Sequence, residues 1–146
     1  MAQQVLYAKT ATMNWDTASA WNTQADGLGT DWPTTPQNGT PGGTTYACNL
    51  NAKAVTQNLN IVIDALNGSS GSLTVSPGTF SLTLATSTSI WSGTTSFIAV
   101  GNLAYFTLIL GGNYYTNSST GYGIAVSGSG TLTISEAGTT IFVNSG

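Results

Sequence analysis

Residues 14–33, NWDTASAWNTQADGLGTDWP, hold three of the four tryptophans and three of the five acidic residues of the chain. Indole faces stack on sugar rings, and carboxylates fix hydroxyls or a Ca²⁺ ion. Trp15, Trp21 and Trp32 with Asp26 and Asp31 are therefore a candidate glycan or metal site. The competing reading is a plug, in which the three indoles bury a large apolar area over one end of a fold. DGLGTD matches neither an EF-hand loop nor the glycine-rich Ca²⁺ repeat of β-rolls. Asp26 and Asp31 also have no basic residue beside them in sequence. The plug is the reading taken here, with Trp15, Trp21 and Trp32 as cap residues and no metal or other cofactor.

Other chemistry has little to draw on. The chain has no His, and its only basic residues are Lys9 and Lys53. Cys48, the sole cysteine, lies in an apolar-alternating run, YACNLN, with no His as base, and reads as a buried structural thiol. Asp64 and Glu136 are 72 residues apart. At a 25-residue period that is three strand spacings, or about 14 Å, too far for a glycosidase carboxylate pair. No glycine-rich loop follows a strand and opens a helix, so nucleotide binding is unsupported. The triplets at Asn38, Asn67 and Asn117 fit the glycosylation pattern, as Asn/Ser/Thr-rich chains do by chance. No catalytic residue is assigned, and the chain is read as not an enzyme.

Composition sets the frame for these residues. At 146 residues the chain is long enough for one domain with a real core. Charged residues make up 5% and the formal net charge is −3. That excludes the basic stripe needed for nucleic acid, and the high net charge typical of disorder. The start, MAQQVLYAKT, lacks the features of a signal peptide, so the mature chain is expected to begin near Met1. FIAVGNLAYFTLILGG, residues 97–112, is broken by Gly101 and Asn102 and too short to span a bilayer, so no membrane partner is expected.

The elements that must position these residues are short strands. From residue 47 onward, runs of four to six residues rich in Val, Ile, Leu, Thr, Phe and Tyr alternate with Gly, Asn and Ser. ACNL, SLTV, FIAV and GIAV begin at 47, 72, 97 and 123, steps of 25, 25 and 26. LNIV, SLTL, TLIL and TLTI begin at 59, 81, 107 and 131, and SIW, NYY and TIFV at 89, 113 and 140. Three strands per period of about 25 residues predict an all-β fold, a short right-handed parallel β-helix of about four coils. Leu73 is expected to stack on Phe97. The pairs Leu73/Val75, Leu82/Leu84 and Leu132/Ile134 face inward, leaving Ser and Thr outside. The alternative is an antiparallel β-sandwich or jelly roll.

Two segments follow. Residues 1–46 form an N-terminal arm and Trp-rich cap, rich in turn signals (DGLG, WPTTP, QNGTPGG), with Thr17 a candidate N-cap of one helical turn. Residues 47–146 form the β-repeat domain. FIAV and YFTLIL are apolar on both faces, so Phe97, Tyr105, Phe106 and Ile109 are expected to cover a subunit contact or to lie beneath the N-terminal segment. With Tyr114 and Tyr115, aromatics of the kind enriched at interface cores, Phe97, Tyr105 and Phe106 are the candidate interface residues.

NWDTASAWNTQADGLGTDWP, followed by a turn-rich stretch and ACNLNAKAVTQNLNIVIDAL, resembles the opening of short bacteriophage-encoded β-helical virion proteins. The resemblance covers residues 14 to 85. Ala52 departs from it, standing where glycine is usual in an Asn-Gly-Lys-type turn. The resemblance implies a structural protein of the particle surface, made in the host cytoplasm. It implies a capsid decoration or cement protein that contacts the major capsid protein or other virion proteins. By analogy it implies a symmetric homo-oligomer, a trimer before a dimer. The alternative function is a tail-fibre or adhesin-type module that binds glycan through Trp or Tyr, with surface aromatics in GGNYYTNSSTGYG as its mark. An enzyme fragment is the third and weakest reading.

Overall fold

The computed structural model describes residues 3–39, 43–85, 89–92, 97–111, 114–117, 123–136 and 141–144. The chain opens with β1 (Gln3–Ala8), β2 (Thr12–Asn14) and β3 (Trp21–Asn22). It then makes four passes of three strands. The first is β4 (Thr45–Asn49), β5 (Ala54–Gln57) and β6 (Ile61–Ile63). The second is β7 (Ala65–Asn67), β8 (Ser72–Val75) and β9 (Gly78–Leu84). The third is β10 (Ser89–Trp91), β11 (Ile98–Val100) and β12 (Ala104–Leu110). The fourth is β13 (Tyr114–Asn117), β14 (Ile124–Val126) and β15 (Thr131–Glu136), followed by β16 (Ile141–Asn144).

The protein is all-β, and its ladders are mostly parallel. The sheets run β3-β1-β4-β7, β2-β5-β8-β11-β14, β6-β9-β12-β15 and β10-β13-β16. Within them β3 alone is antiparallel, paired with β1. A parallel bridge from Gly68 to Trp91 connects the end of β7 to β10. Each strand of a pass thus pairs with its counterpart in the next, and the other two strands of the pass supply the crossover that parallel pairing requires. An antiparallel sandwich does not have this pattern.

Alternation explains the core. Leu6, Cys48 and Leu66 share one inward register column. Met13, Val55, Leu73 and Ile98 share a second, and Ile61, Leu82 and Leu108 a third. All are buried and belong to one contiguous cluster. Two-residue periodicity puts every second side chain on this face, so stacking the passes stacks the apolar residues.

Several registers differ from expectation. The strands at 72 and 97 are parallel neighbours, but Leu73 pairs with Ile98, not Phe97. ACNL lies in a different sheet from SLTV, with Cys48 paired to Leu66. Ile61 pairs with Leu82, Thr131 with Tyr105 and Tyr114 with Ser89, each one or two residues from the spacing read in sequence. The 25-residue step itself puts Leu73 opposite Ile98, so the expected Phe97 is one residue out of its own register; the other differences follow from unequal pass lengths. Leu6↔Cys48 and Met13↔Val55 are both 42 residues apart, Val55↔Leu73 is 18, and Leu73↔Ile98 is 25.

The boundary at residue 46 does not separate two packing units. β1 and β2 are parallel partners of β4 and β5, and Leu6, Met13, Trp15 and Trp21 belong to the common core. The Trp-rich stretch is a long excursion within the first circuit. The tight turn from β4 to β5 closes with Lys53 N–H donating to the Leu50 carbonyl, 2.9 Å, with Asn51 at φ 51° and Ala52 at φ 59°. Two consecutive left-handed residues make it a type I′ turn, which normally takes Asn-Gly.

Candidate functional site: a closed end, an open end and an outer groove

The Trp segment is built around buried hydrogen bonds. The backbone N–H of Trp15 donates to the Thr56 carbonyl at 2.8 Å, carrying the β2·β5 ladder one residue further. Its indole N–H donates to the Pro36 carbonyl, and that of Trp21 to the Trp15 carbonyl, each at 3.1 Å. The two rings lie 4.7 Å apart and both side chains are fully buried. Trp32 is half-buried, edge-on to Tyr46 at 5.8 Å. β3, which contains Trp21, covers the β1 edge that faces away from β4. TASAW forms no helix: the Thr17 hydroxyl accepts from the Asn14 N–H at 3.1 Å and Ser19 takes φ 57°.

The carboxylates of this segment are already engaged. Lys9 Nζ reaches both oxygens of Asp31, at 2.8 and 2.9 Å, so Asp31 does have the basic partner its sequence neighbourhood lacks. Lys9, then the Asn22 amide, hold the Asp31 carboxyl below the usual range. Asp26 accepts from the Leu28 N–H in its own turn, and Asp16 accepts from the Asn58 amide. Buried Asn22, which sequence reasoning missed, is the hub. Its Nδ2 donates to the carbonyls of Gly27 and Gly29 and to Asp31, while its Oδ1 accepts from Gln24 N–H. The side chains present a braced loop, with no indole face open to stacking at Trp15 or Trp21.

Asp64 is buried between β6 and β7, its two oxygens accepting from Gln3 Nε2 and Asn38 Nδ2 at 3.0 Å each. It ties the first strand and the end of the Trp excursion to one corner. Glu136 lies three strand spacings away, through Ile63↔Leu84↔Leu110↔Glu136. Cys48 is fully buried, and burial pushes its thiol pKa well up.

The expected interface residues separate. Phe97, Phe106 and Tyr114 are core residues, at most 1% exposed. Trp91, Phe97 and Tyr114 form a stack with centroids 5.7 and 6.4 Å apart, and the Tyr114 hydroxyl donates to the Gly123 carbonyl at 3.0 Å. Strand alternation in β12 sends Phe106, Leu108 and Leu110 inward and leaves Tyr105 53% exposed. Tyr115 is the register mate of Ile90, and its side chain lies outside the described residues. GGNYYTNSSTGYG therefore contributes Tyr114 to the chain's own core, and most of the rest of that stretch is likewise outside the description.

The two ends of the stack differ. Down one inward column, exposure runs 2% at Val75, 1% at Val100 and 46% at Val126. Down another it is 0% at Leu82, 0% at Leu108 and 41% at Ile134. Among the described residues, β14 and β15 each have a strand partner on one side only, as do β2 and β6 at the opposite end, so it is side-chain exposure that separates the two ends. Among the described residues, apolar side chains are exposed at this end.

A shallow groove of about 410 Å³ lies on the outer face of β1, β4 and β7. Val5, Tyr7, Asn49, Asn67 and Ile90 line it. Tyr7, Asn49 and Asn67 are successive register mates. Asn49 Oδ1 accepts from Asn51 N–H and Asn67 Oδ1 from Ile90 N–H, both at 2.8 Å. The sequence signal was Asn at a strand end two residues before a turn, which reads as turn chemistry alone. Comparison with known protein families, curated proteins and solved structures finds no match to this chain.

Proposed function

We propose that the chain is a structural protein of a bacteriophage virion, a decoration or cement protein of the particle surface that acts by protein–protein contacts. Its fold in this reading is a short right-handed parallel β-helix, each pass one coil, with Trp15, Trp21 and Trp32 as the cap at the N-terminal end. Pass-by-pass parallel ladders support the coil, and crossovers between parallel strands are right-handed in about 98% of cases. The observation that carries the functional reading is the asymmetry of the ends. At one end β3 covers the edge of β1, and Met13, Ile61 and two indoles are buried, whereas the other end exposes Val126 and Ile134 from columns that are otherwise buried. Unpaired strand edges with apolar residues recruit a neighbour, and many such contacts sum over a lattice.

In this reading the open end docks on the major capsid protein or another virion protein. The chain also forms a symmetric homo-oligomer, the trimer first. With Phe97, Phe106 and Tyr114 in the core, Tyr105 and the open end remain as its contacts. Particle sedimentation tests the docking. The wild-type chain should cosediment with purified particles, and Val126→Asp with Ile134→Asp should stay in the supernatant while keeping the wild-type melting temperature. Cosedimentation of that double variant would remove the open end as the docking surface.

A further inference from the structure

The outer groove has a chemistry that docking through the open end does not use. The geometry points to a binding site for a neutral saccharide on the face of β1, β4 and β7, centred on Tyr7, Asn49 and Asn67. This inference is independent of the virion reading, because it rests on another face and other residues.

The three residues are register mates on adjacent parallel strands, so they stand in a row at about 4.8 Å per step. Both amide oxygens are consumed by backbone N–H groups at 2.8 Å, which fixes which way each amide points. Neither Nδ2 group has a protein partner among the described residues. Two neighbouring NH₂ donors are therefore held in place and offered to the groove. Their spacing suits oxygens on one edge of a sugar ring that are not on adjacent carbons. Tyr7, half-buried, brings an aromatic ring to one end of the row, and Val5 and Ile90, 42% and 52% exposed, supply apolar flanks. Ser69 and Ser92 in the lining supply hydroxyls that both donate and accept.

The charge of the ligand follows from the same lining. It contains no Lys, Arg, Asp or Glu. An anionic sugar would find no cation there and would approach a chain of net charge −3. A neutral sugar meets an aromatic ring, oriented donors and hydroxyls in a volume within the usual range of small-molecule sites, about 300–1,000 Å³.

The test is a glycan array carrying neutral oligosaccharides of glucose, galactose, mannose and N-acetylglucosamine, with heparin fragments and sialylated sugars as acidic contrasts. The best neutral probe is then titrated by ¹H–¹⁵N NMR. Asn67→Asp and Asn49→Asp keep the oxygen that the backbone needs and remove the donor. Each should weaken the neutral probe about tenfold or more, as for loss of one well-made hydrogen bond, with the melting temperature within about 3 °C of wild type. Leu103→Ala, in the turn between β11 and β12 and 63% exposed, should leave binding unchanged. The proposal is overturned if no neutral probe binds at millimolar concentration, if acidic probes bind better, or if the Asp variants fold and bind like wild type. Loss of binding in Leu103→Ala alone would place the sugar away from the groove and equally overturn it.

Discussion

Replacing Trp21 with Ala removes a fully buried indole in β3. Three losses combine there. The apolar area goes, the Trp15 ring loses its neighbour at 4.7 Å, and the Trp15 carbonyl loses the donor at 3.1 Å. The aromatic pair is worth about 0.5–1.5 kcal/mol, and a buried acceptor left unpaired costs about 1–3 kcal/mol. Both fall within the overall cost of about 3–5 kcal/mol for a buried Trp→Ala change. Against a total stability of about 5–15 kcal/mol this is a large fraction. At about 2–4 °C per kcal/mol for a chain near this size, the melting temperature should fall by about 6–20 °C. Trp21→Phe keeps most of the apolar area but still leaves the Trp15 carbonyl without its donor, so it should cost less than Trp21→Ala and more than the ring contact alone. Trp32→Ala, at a half-buried site, should fall between wild type and Trp21→Ala. Thermal unfolding followed by far-UV circular dichroism reads all three. A Trp21→Ala variant that melts within about 2 °C of wild type would refute the reasoning. If that variant also lost binding to a glycan, the indoles would be a ligand site and not a seal.

Ala52→Gly relieves a non-glycine residue at φ 59° in the β4–β5 turn, and should raise stability by about 1 kcal/mol in a urea titration. Gly111→Ala drives a Cβ into the Ala85 carbonyl oxygen, a backbone atom, and should lower stability in the same titration by about 1–3 kcal/mol or prevent folding. Phe106→Asp places a carboxylate in the core and should yield insoluble or unfolded protein, visible by circular dichroism, instead of a folded monomer. Burial raises the pKa of Cys48 and of Tyr114 above their unfolded values of about 8.5 and 10. Their contribution to stability is therefore complete below those values and is lost as pH rises past them. The melting temperature should be level from about pH 6 to 8 and fall above about pH 9, and Cys48→Ala should delay the onset of that fall.

How far the fold was legible depends on where the chain repeats evenly. SLTV, FIAV and GIAV are separated by the true step, and their sheet follows from the spacing. LNIV and TLTI were displaced by one or two residues, because Leu, Thr and Ile alternate so regularly that neighbouring registers look alike. β1 and β2 went unread because the Trp excursion lengthens the first circuit to 42 residues, so no period of 25 reaches them. Phe97 and Phe106 read equally as interface or covered residues because their strands are apolar at nearly every position. Composition cannot say which of two apolar neighbours faces in, whereas the pleat decides it. The burial of Trp15 and Trp21 was readable from indole size and turn-rich surroundings. Asn22, Asn49 and Asn67 were not, because an asparagine shows its role only when the atoms that satisfy its amide are placed.

As proposed above, the chain would be a docked component of a virus particle. Quantitative mass spectrometry of gradient-purified particles, counted against the major capsid protein, tests it most directly. The account predicts a fixed copy number per particle, in simple proportion to the capsid lattice, and loss of the chain from particles carrying Val126→Asp with Ile134→Asp. A wild-type chain that is abundant in the lysate and missing from purified particles would contradict it.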